Sequence, residues 1–114
     1  VCAVLERRGH TIIARNYRRP FGEIDIISRD GGFIVFTEVK ARKRGSMVSG
    51  LEAVNAAKRR RIILTADAYL TEHPVELQPR YDIAQVTFTG TPPAVERVEI
   101  YEDAFTTDGV YTVN

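Results

Sequence analysis

The sequence predicts an α/β fold, a central mixed β-sheet flanked by helices, and three observations predict it. The pattern along the chain runs helix, three strands, helix, two strands, an order that suits helices packed on a sheet. Two β-rich runs are joined by Gly31-Gly32, a recognised hairpin signal. The 114 residues suffice for one hydrophobic core and are too few to divide into two. A single domain over residues 1–105 is therefore expected, followed by a polar, β-tending tail over 106–114 whose structure the pattern does not specify.

Residues 1–8 read as the end of a helix, with Val4 and Leu5 apolar, Arg7 and Arg8 in the last turn and Gly9 at the stop position; the start of that helix is expected upstream of Val1. Thr11 to Arg18 is a strand, and Arg18 to Gly22 a loop punctuated by Pro20 and Gly22. Glu23 to Ser28 and Phe33 to Lys40 form the hairpin. Arg42 to Gly50 reads as a basic loop. Ser49 with Glu52 makes a capping box opening a long helix, about Leu51 to Glu72, which Pro74 ends. Strands follow over Arg80 to Phe88 and Ala94 to Tyr101, joined by a loop containing Pro92 and Pro93, which suit a turn and not a ladder.

Composition excludes several classes. A hydrophobic fraction of 44% with 27% charged residues is that of a globular protein, and no apolar run approaches the roughly 20 residues needed to cross a bilayer. No signal-peptide pattern opens the chain. The single cysteine, Cys2, supports neither a disulfide framework nor a thiolate zinc site, so a reducing, cytoplasmic setting is expected without membrane contact. The net charge of +1 conceals a division: residues 1–61 carry 14 Lys/Arg against 6 Asp/Glu, a net of +8, while residues 62–114 carry 2 against 9, a net of −7. A basic half is the footprint of a surface that meets a polyanion, although halves that attract each other would give the same numbers.

The hairpin brings carboxylates together. With Gly31-Gly32 as a two-residue turn, opposed residue numbers sum to 63, which sets Asp25 opposite Glu38 and Glu23 opposite Lys40 on one side of the sheet. Opposed side chains have Cβ atoms roughly 4.5–5.5 Å apart, close enough for two carboxylates to share a cation. The strand from Phe33 is apolar on both faces and so central, and a carboxylate at its end needs a partner, a raised pKa or a metal. Oxygen donors without His or Cys suit Mg²⁺ or Mn²⁺. A cation beside a lysine is what phosphodiester hydrolysis needs. A structural ion-pair network of Glu23, Asp25, Glu38, Lys40 and nearby arginines is the bland alternative.

These residues resemble a known family. Asp25, a 12-residue gap and Glu38-Val39-Lys40 resemble the D…E-x-K signature of the PD-(D/E)xK nuclease superfamily. The strings Ala14 to Arg18 (ARNYR), Gly22 to Asp25 (GEID), Thr37 to Arg42 (TEVKAR), Lys58 to Arg61 (KRRR) and Arg80 to Ile83 (RYDI) resemble the bacterial YraN family, a branch similar to Holliday-junction resolvases. The resemblance implies a restriction-endonuclease-like core, Asp25 and Glu38 as metal ligands for Mg²⁺ or Mn²⁺, the Val39 carbonyl as a third, and Lys40 as the catalytic lysine. Glu23, in the GEID string, would support the ligands or serve a second metal. Resolvase-like members also carry a glutamate early in the first helix, upstream of Val1.

Around this cluster, Arg42, Lys43 and Arg44 follow directly and are expected to contact phosphate, the alternative being a solvated loop. Lys58 shares a helical stripe with Leu51, Val54, Ile62, Ala66 and Tyr69, so it points inward toward the cluster or snorkels to solvent. Arg59 to Arg61 circle the helix, and Arg59 joins the phosphate-positioning group. Asp82 is expected to pair with Arg80 or a helix arginine. His10 and His73 are expected at the surface beside helix ends. The aromatic residues, five Tyr and five Phe, show no signature of a base-stacking platform. The expected function is metal-dependent hydrolysis of phosphodiester bonds in DNA, branched or junction DNA included; the alternative is an inactive nucleic-acid-binding or scaffold domain that keeps the fold. Similarity to resolvases, which must meet symmetric cuts, suggests a homodimer.

Overall fold

The structure, a computed structural model, describes residues 1–47 and 53–108. Its elements are α1 (Cys2–Arg7), β1 (Thr11–Arg19), β2 (Gly22–Asp30), β3 (Phe33–Lys43), α2 (Ala56–Glu72), β4 (Gln78–Thr89) and β5 (Ala94–Phe105). The strands form one mixed sheet in the order β1-β2-β3-β4-β5. All neighbours are antiparallel except β3 and β4, which run parallel. A parallel pair cannot be joined by a tight turn, and α2 lies on the crossover between them. This is the α/β architecture expected from the sequence, and it is consistent with a restriction-endonuclease-like core.

Each element has a local cause. Gly9 ends α1 in the left-handed region at φ 94°, which a residue without Cβ adopts freely. Gly31-Gly32 is the two-residue turn expected, pairing Asp30 with Phe33. Among the described residues helix α2 begins at Ala56. Asn55, in an extended conformation at ψ 176°, accepts a hydrogen bond from the Lys58 N–H at 3.0 Å and caps the helix. The capping box at Ser49 and Glu52, like Leu51, lies outside the described residues, as do residues 109–114 of the tail. The helix stops at Glu72 because Pro74 forces His73 out of helical geometry (φ −131°, ψ 72°).

Strand lengths exceed those expected. β3 continues through Arg42 to Lys43 because β4 pairs with it over its full length, from Phe33↔Gln78 to Lys43↔Phe88. Arg42 and Lys43 therefore belong to the sheet and not to a loop. Likewise β5 runs on to Phe105, which pairs with Tyr81.

The core lies between α2 and one sheet face. Ile62, Ile63, Ala66 and Tyr69 of the helix pack on Ile24, Ile27, Ile34, Phe36, Tyr81 and Ile83, with Val54 and Phe105 completing the cluster. Their burial is the main stabilising term, at about 1.5–3 kcal/mol for each large side chain. Close approach of α2 to the β1–β2 turn requires Gly22, where an added Cβ would clash with Thr65 Oγ1 and stand 3.2 Å from the Arg61 carbonyl oxygen.

The opposite face holds a polar network. Arg80, almost fully buried, donates from Nε and Nη2 to the two oxygens of Asp82, each at 2.9 Å, and from Nη1 to Asp30 at 3.1 Å. This is the Arg80 partner expected for Asp82. Asp82 also accepts the Asp103 N–H at 2.9 Å, tying β5 in. His10 departs from expectation: it is 5% exposed, not a surface residue, because the turn through Gly9 directs its ring inward to Ser28 Oγ at 2.8 Å. His73 is exposed as expected, its ring 4.7 Å from that of Tyr69. Among the described residues no helix is long and apolar enough to cross a membrane.

Two substitutions test this packing. Gly22→Ala should lower stability by about 1–3 kcal/mol, seen as an earlier urea midpoint with an unchanged slope. Asp82→Ala should cost more, about 3–5 kcal/mol, since it strands a buried guanidinium; a loss under 1 kcal/mol in either would contradict the contacts described.

Candidate metal centre and nucleic-acid interface

The hairpin register is the one the turn dictates, from Asp30↔Phe33 to Ile26↔Thr37. It then stops. The expected ladder pairs Asp25 with Glu38 and Glu23 with Lys40 do not form. Instead the Asp25 side chain enters the ladder, its Oδ2 accepting the backbone N–H of Val39 at 2.7 Å. The carboxylate takes the place of a main-chain carbonyl, so β2 and β3 part where the acidic residues lie.

A kink accompanies the parting. On regular strands, residues three apart face opposite sides, yet Ile24 and Ile27 of β2 both join the core, and Ala14 and Tyr17 of β1 both pack against it. Asn16, which lies between Ala14 and Tyr17, has φ 51°, a left-handed conformation that Asn tolerates better than most residues. The local backbone turn thus keeps apolar residues inside on both sides of Asp25.

Glu38 is the buried member of the site, 5% exposed. Lys40 Nζ approaches its Oε1 to 3.3 Å and Lys58 Nζ approaches the same oxygen to 3.4 Å. Lys40 comes from the same face of β3 two residues on, and Lys58 arrives from the first turn of α2, where Asn55 fixes its backbone. Of the two sequence readings of Lys58, the structure shows the inward one. Burial, then the Asp25 charge, pushes the Glu38 carboxyl above its ordinary 4.5, and the two lysines only partly offset this.

The other expected residues spread away from this point. Glu23 faces Arg18 at 3.1 Å and lines a groove of ≈ 320 Å³ that Lys58 also lines. Arg42 is half-buried on β3, its Nε without a hydrogen-bond partner among the described residues. Lys43 is exposed, and Arg44 lies 3.6 Å from Glu96. Arg59 donates to the Val54 carbonyl at 2.8 Å and covers the Phe105 ring at 5.6 Å, on the β5 side of the helix. Lys40 and Lys58 thus meet on Glu38, Asp25 acts on it through its charge, and Glu23 lines the groove that Lys58 also lines.

A hard cation needs oxygen donors. Among the described residues, no group of three or more Asp, Glu, His or Cys is placed to hold a metal. Asp25 lies near enough for its charge to raise the Glu38 pKa, and each carboxylate retains lone pairs beyond those used by the Val39 N–H and the two ammonium groups. Mg²⁺ is characteristically held by one or two carboxylates while keeping waters or substrate phosphates in its other positions. Asp25, Glu38 and the Val39 carbonyl fit that habit, and they do not fit zinc.

Comparison with other proteins gives a consistent kinship. The model of the family described as "Uncharacterised protein family UPF0102" matches residues 1–86. A UPF0102 protein of Syntrophotalea carbinolica is 42% identical over 106 residues, 92% of this chain and 84% of that protein. One from Desulforapulum autotrophicum is 40% identical over 107 residues, 93% and 86% of the two chains, and one from Thermotoga petrophila 39% identical over 89 residues, 78% and 81%. The matched region spans α1 to β4 and contains every residue of the carboxylate–lysine cluster. The chain belongs to the UPF0102 family.

Proposed function

We propose that this protein is a metal-dependent endonuclease that hydrolyses phosphodiester bonds in DNA. The observation that carries the reading is that the Lys40 and Lys58 ammonium groups converge on one oxygen of buried Glu38, while Asp25 of the neighbouring strand, held by the Val39 N–H, acts on Glu38 with its charge. In the proposal Asp25, Glu38 and the Val39 carbonyl hold Mg²⁺ or Mn²⁺. The ion supplies Lewis-acid polarisation of the phosphoryl group and a lowered pKa for water. Glu23 flanks these ligands from the groove.

The chain's own groups have distinct parts. The Val39 N–H fixes the Asp25 carboxylate, so little ordering remains to be done when substrate binds. Lys40, whose side chain is 28% exposed, can leave Glu38 to donate a hydrogen bond to the attacking water or to a phosphoryl oxygen as charge develops there. Water adds across the scissile P–O bond: its oxygen goes to phosphorus and a proton goes to the departing sugar oxygen. Arg42 and Lys43 on β3, Arg44 just beyond it, and Lys58 and Arg59 on α2 are the positive groups proposed to hold backbone phosphates. A second reading, a DNA-binding domain without cleavage, is favoured by one feature: two lysines already neutralise Glu38.

Cleavage assays on branched, flapped and duplex DNA with Mg²⁺ or Mn²⁺ separate the two. Asp25→Ala, Glu38→Ala and Lys40→Ala should each lower the rate by about 100-fold or more, with DNA retention in chelator reduced little. Metal-dependent cutting that survives in Asp25→Ala and Lys40→Ala contradicts the proposal, and salt-sensitive binding without any cutting favours the second reading.

The Glu38 shift adds a pH test. A carboxyl whose folded pKa exceeds its unfolded one binds protons more tightly when folded, so its stabilising contribution is present below the ordinary 4.5 and lost as pH rises through the raised value. In chelator, Glu38→Gln should therefore be more stable than the wild type at about pH 7.5, and the gap should close as pH falls toward about 4.5. Denaturant melts across that range check it; a gap that widens on acidification has the wrong sign.

A further inference from the structure

The groove beside the carboxylates has an aromatic rim. Phe21 is 47% exposed and stands in the two-residue turn between β1 and β2, where Arg19 pairs with Gly22. The charged residues of the ≈ 320 Å³ groove it lines are Arg18, Arg19, Lys58 and Arg61 against the single carboxylate of Glu23. Lys58 belongs at once to this groove and to the Glu38 contact, so the groove and the candidate centre share that lysine.

The turn is held rigidly. Pro20 restricts the backbone before Phe21. Gly22, after it, is wedged against Thr65 and Arg61 of α2. Arg19 donates from Nε to Glu72 at 3.0 Å and lies 4.3 Å over the Tyr17 ring, anchoring the turn to the far end of the helix. A fixed aromatic face on a cationic groove combines the two elements with which proteins hold an unpaired nucleotide: a ring for the base and positive charge for its phosphates. The other exposed apolar side chains, such as Val75 and Val95, line neither this groove nor the centre.

We propose that Phe21 is a stacking platform for an unpaired base of DNA, and that the groove beside it receives the adjoining phosphates. The proposal rests on the nucleic-acid reading of the carboxylate site and narrows it: the preferred substrate has an unstacked base next to the bond cut. A continuous duplex offers Phe21 no free base face, whereas a flap, gap or bulge does.

The sequence contains no tryptophan, so Phe21→Trp introduces one fluorophore at the tip. With chelator present and cutting impossible, the F21W protein is titrated with a duplex carrying one unpaired nucleotide and with a fully paired duplex of equal length. The unpaired substrate should quench its emission and the paired one should not. In competition binding, Phe21→Ala should lose roughly 5- to 150-fold of the preference for the unpaired substrate, and Phe21→Tyr should retain it. Equal quenching by both duplexes, unchanged emission at saturation, or full preference in Phe21→Ala overturns the proposal. Absence of DNA binding at low salt overturns both it and the nuclease reading. Quenching with the expected preference, alongside no metal-dependent cleavage by the wild type, leaves the platform standing and removes only the nuclease.

Discussion

The arrangement of the candidate centre depends on one hydrogen bond, from the Val39 main-chain N–H to Asp25 Oδ2. In an antiparallel ladder that N–H would be met by a carbonyl of the neighbouring strand. Here a side chain meets it, so the β2–β3 pairing ends at Ile26↔Thr37 and no backbone donor is left bare. The exchange satisfies a buried donor, orients a carboxylate and separates two strands. Glu38 is held within the electrostatic reach of Asp25, at the cost of a raised pKa.

The rest of the fold serves that placement. A parallel β3–β4 pair requires a long crossover, and the helix on that crossover both covers the core and carries Lys58 to Glu38. Its N-cap at Asn55 sets where the first turn begins, and hence where the lysine projects. The two faces of the sheet divide their tasks. One carries the centre at the margin of the apolar core, and the other is tied by Arg80, Asp82 and Asp30, a network whose buried charges stay paired and whose strands stay in register. The kink at Asn16 reconciles a regular core with an irregular site, a local conformational cost borne where function requires it.

Much of this was legible in the residues. Alternation and the Gly31-Gly32 turn fixed the hairpin register, because a two-residue loop leaves one pairing possible. The stripe holding Ile62, Ala66 and Tyr69 identified the inner face of the helix and placed Lys58 on it. What escaped has physical reasons. The end of a ladder depends on whether a side chain competes for a main-chain donor, and no period reports that; hence the expected Asp25–Glu38 ladder pair. The full length of β3 was hidden because Arg42 and Lys43 look like loop residues until a partner strand satisfies their backbone. His10 read as a surface residue because its burial depends on Ser28, eighteen positions away. Phe21 was indistinguishable from any other phenylalanine until the groove gave it a setting, although an aromatic between Pro20 and Gly22 in a turn, where it cannot reach the core, was a usable signal.

Two carboxylates from adjacent strands, Asp25 and Glu38, are proposed to form one site for a hard divalent cation. Direct titration of Mn²⁺ into the nucleic-acid-free protein, followed by electron paramagnetic resonance of the free ion, tests it without reference to any substrate. Saturable uptake by the wild type, lost in both Asp25→Asn and Glu38→Gln, is the expected result. Equal uptake by the wild type and both variants, or none by any of them, would contradict it.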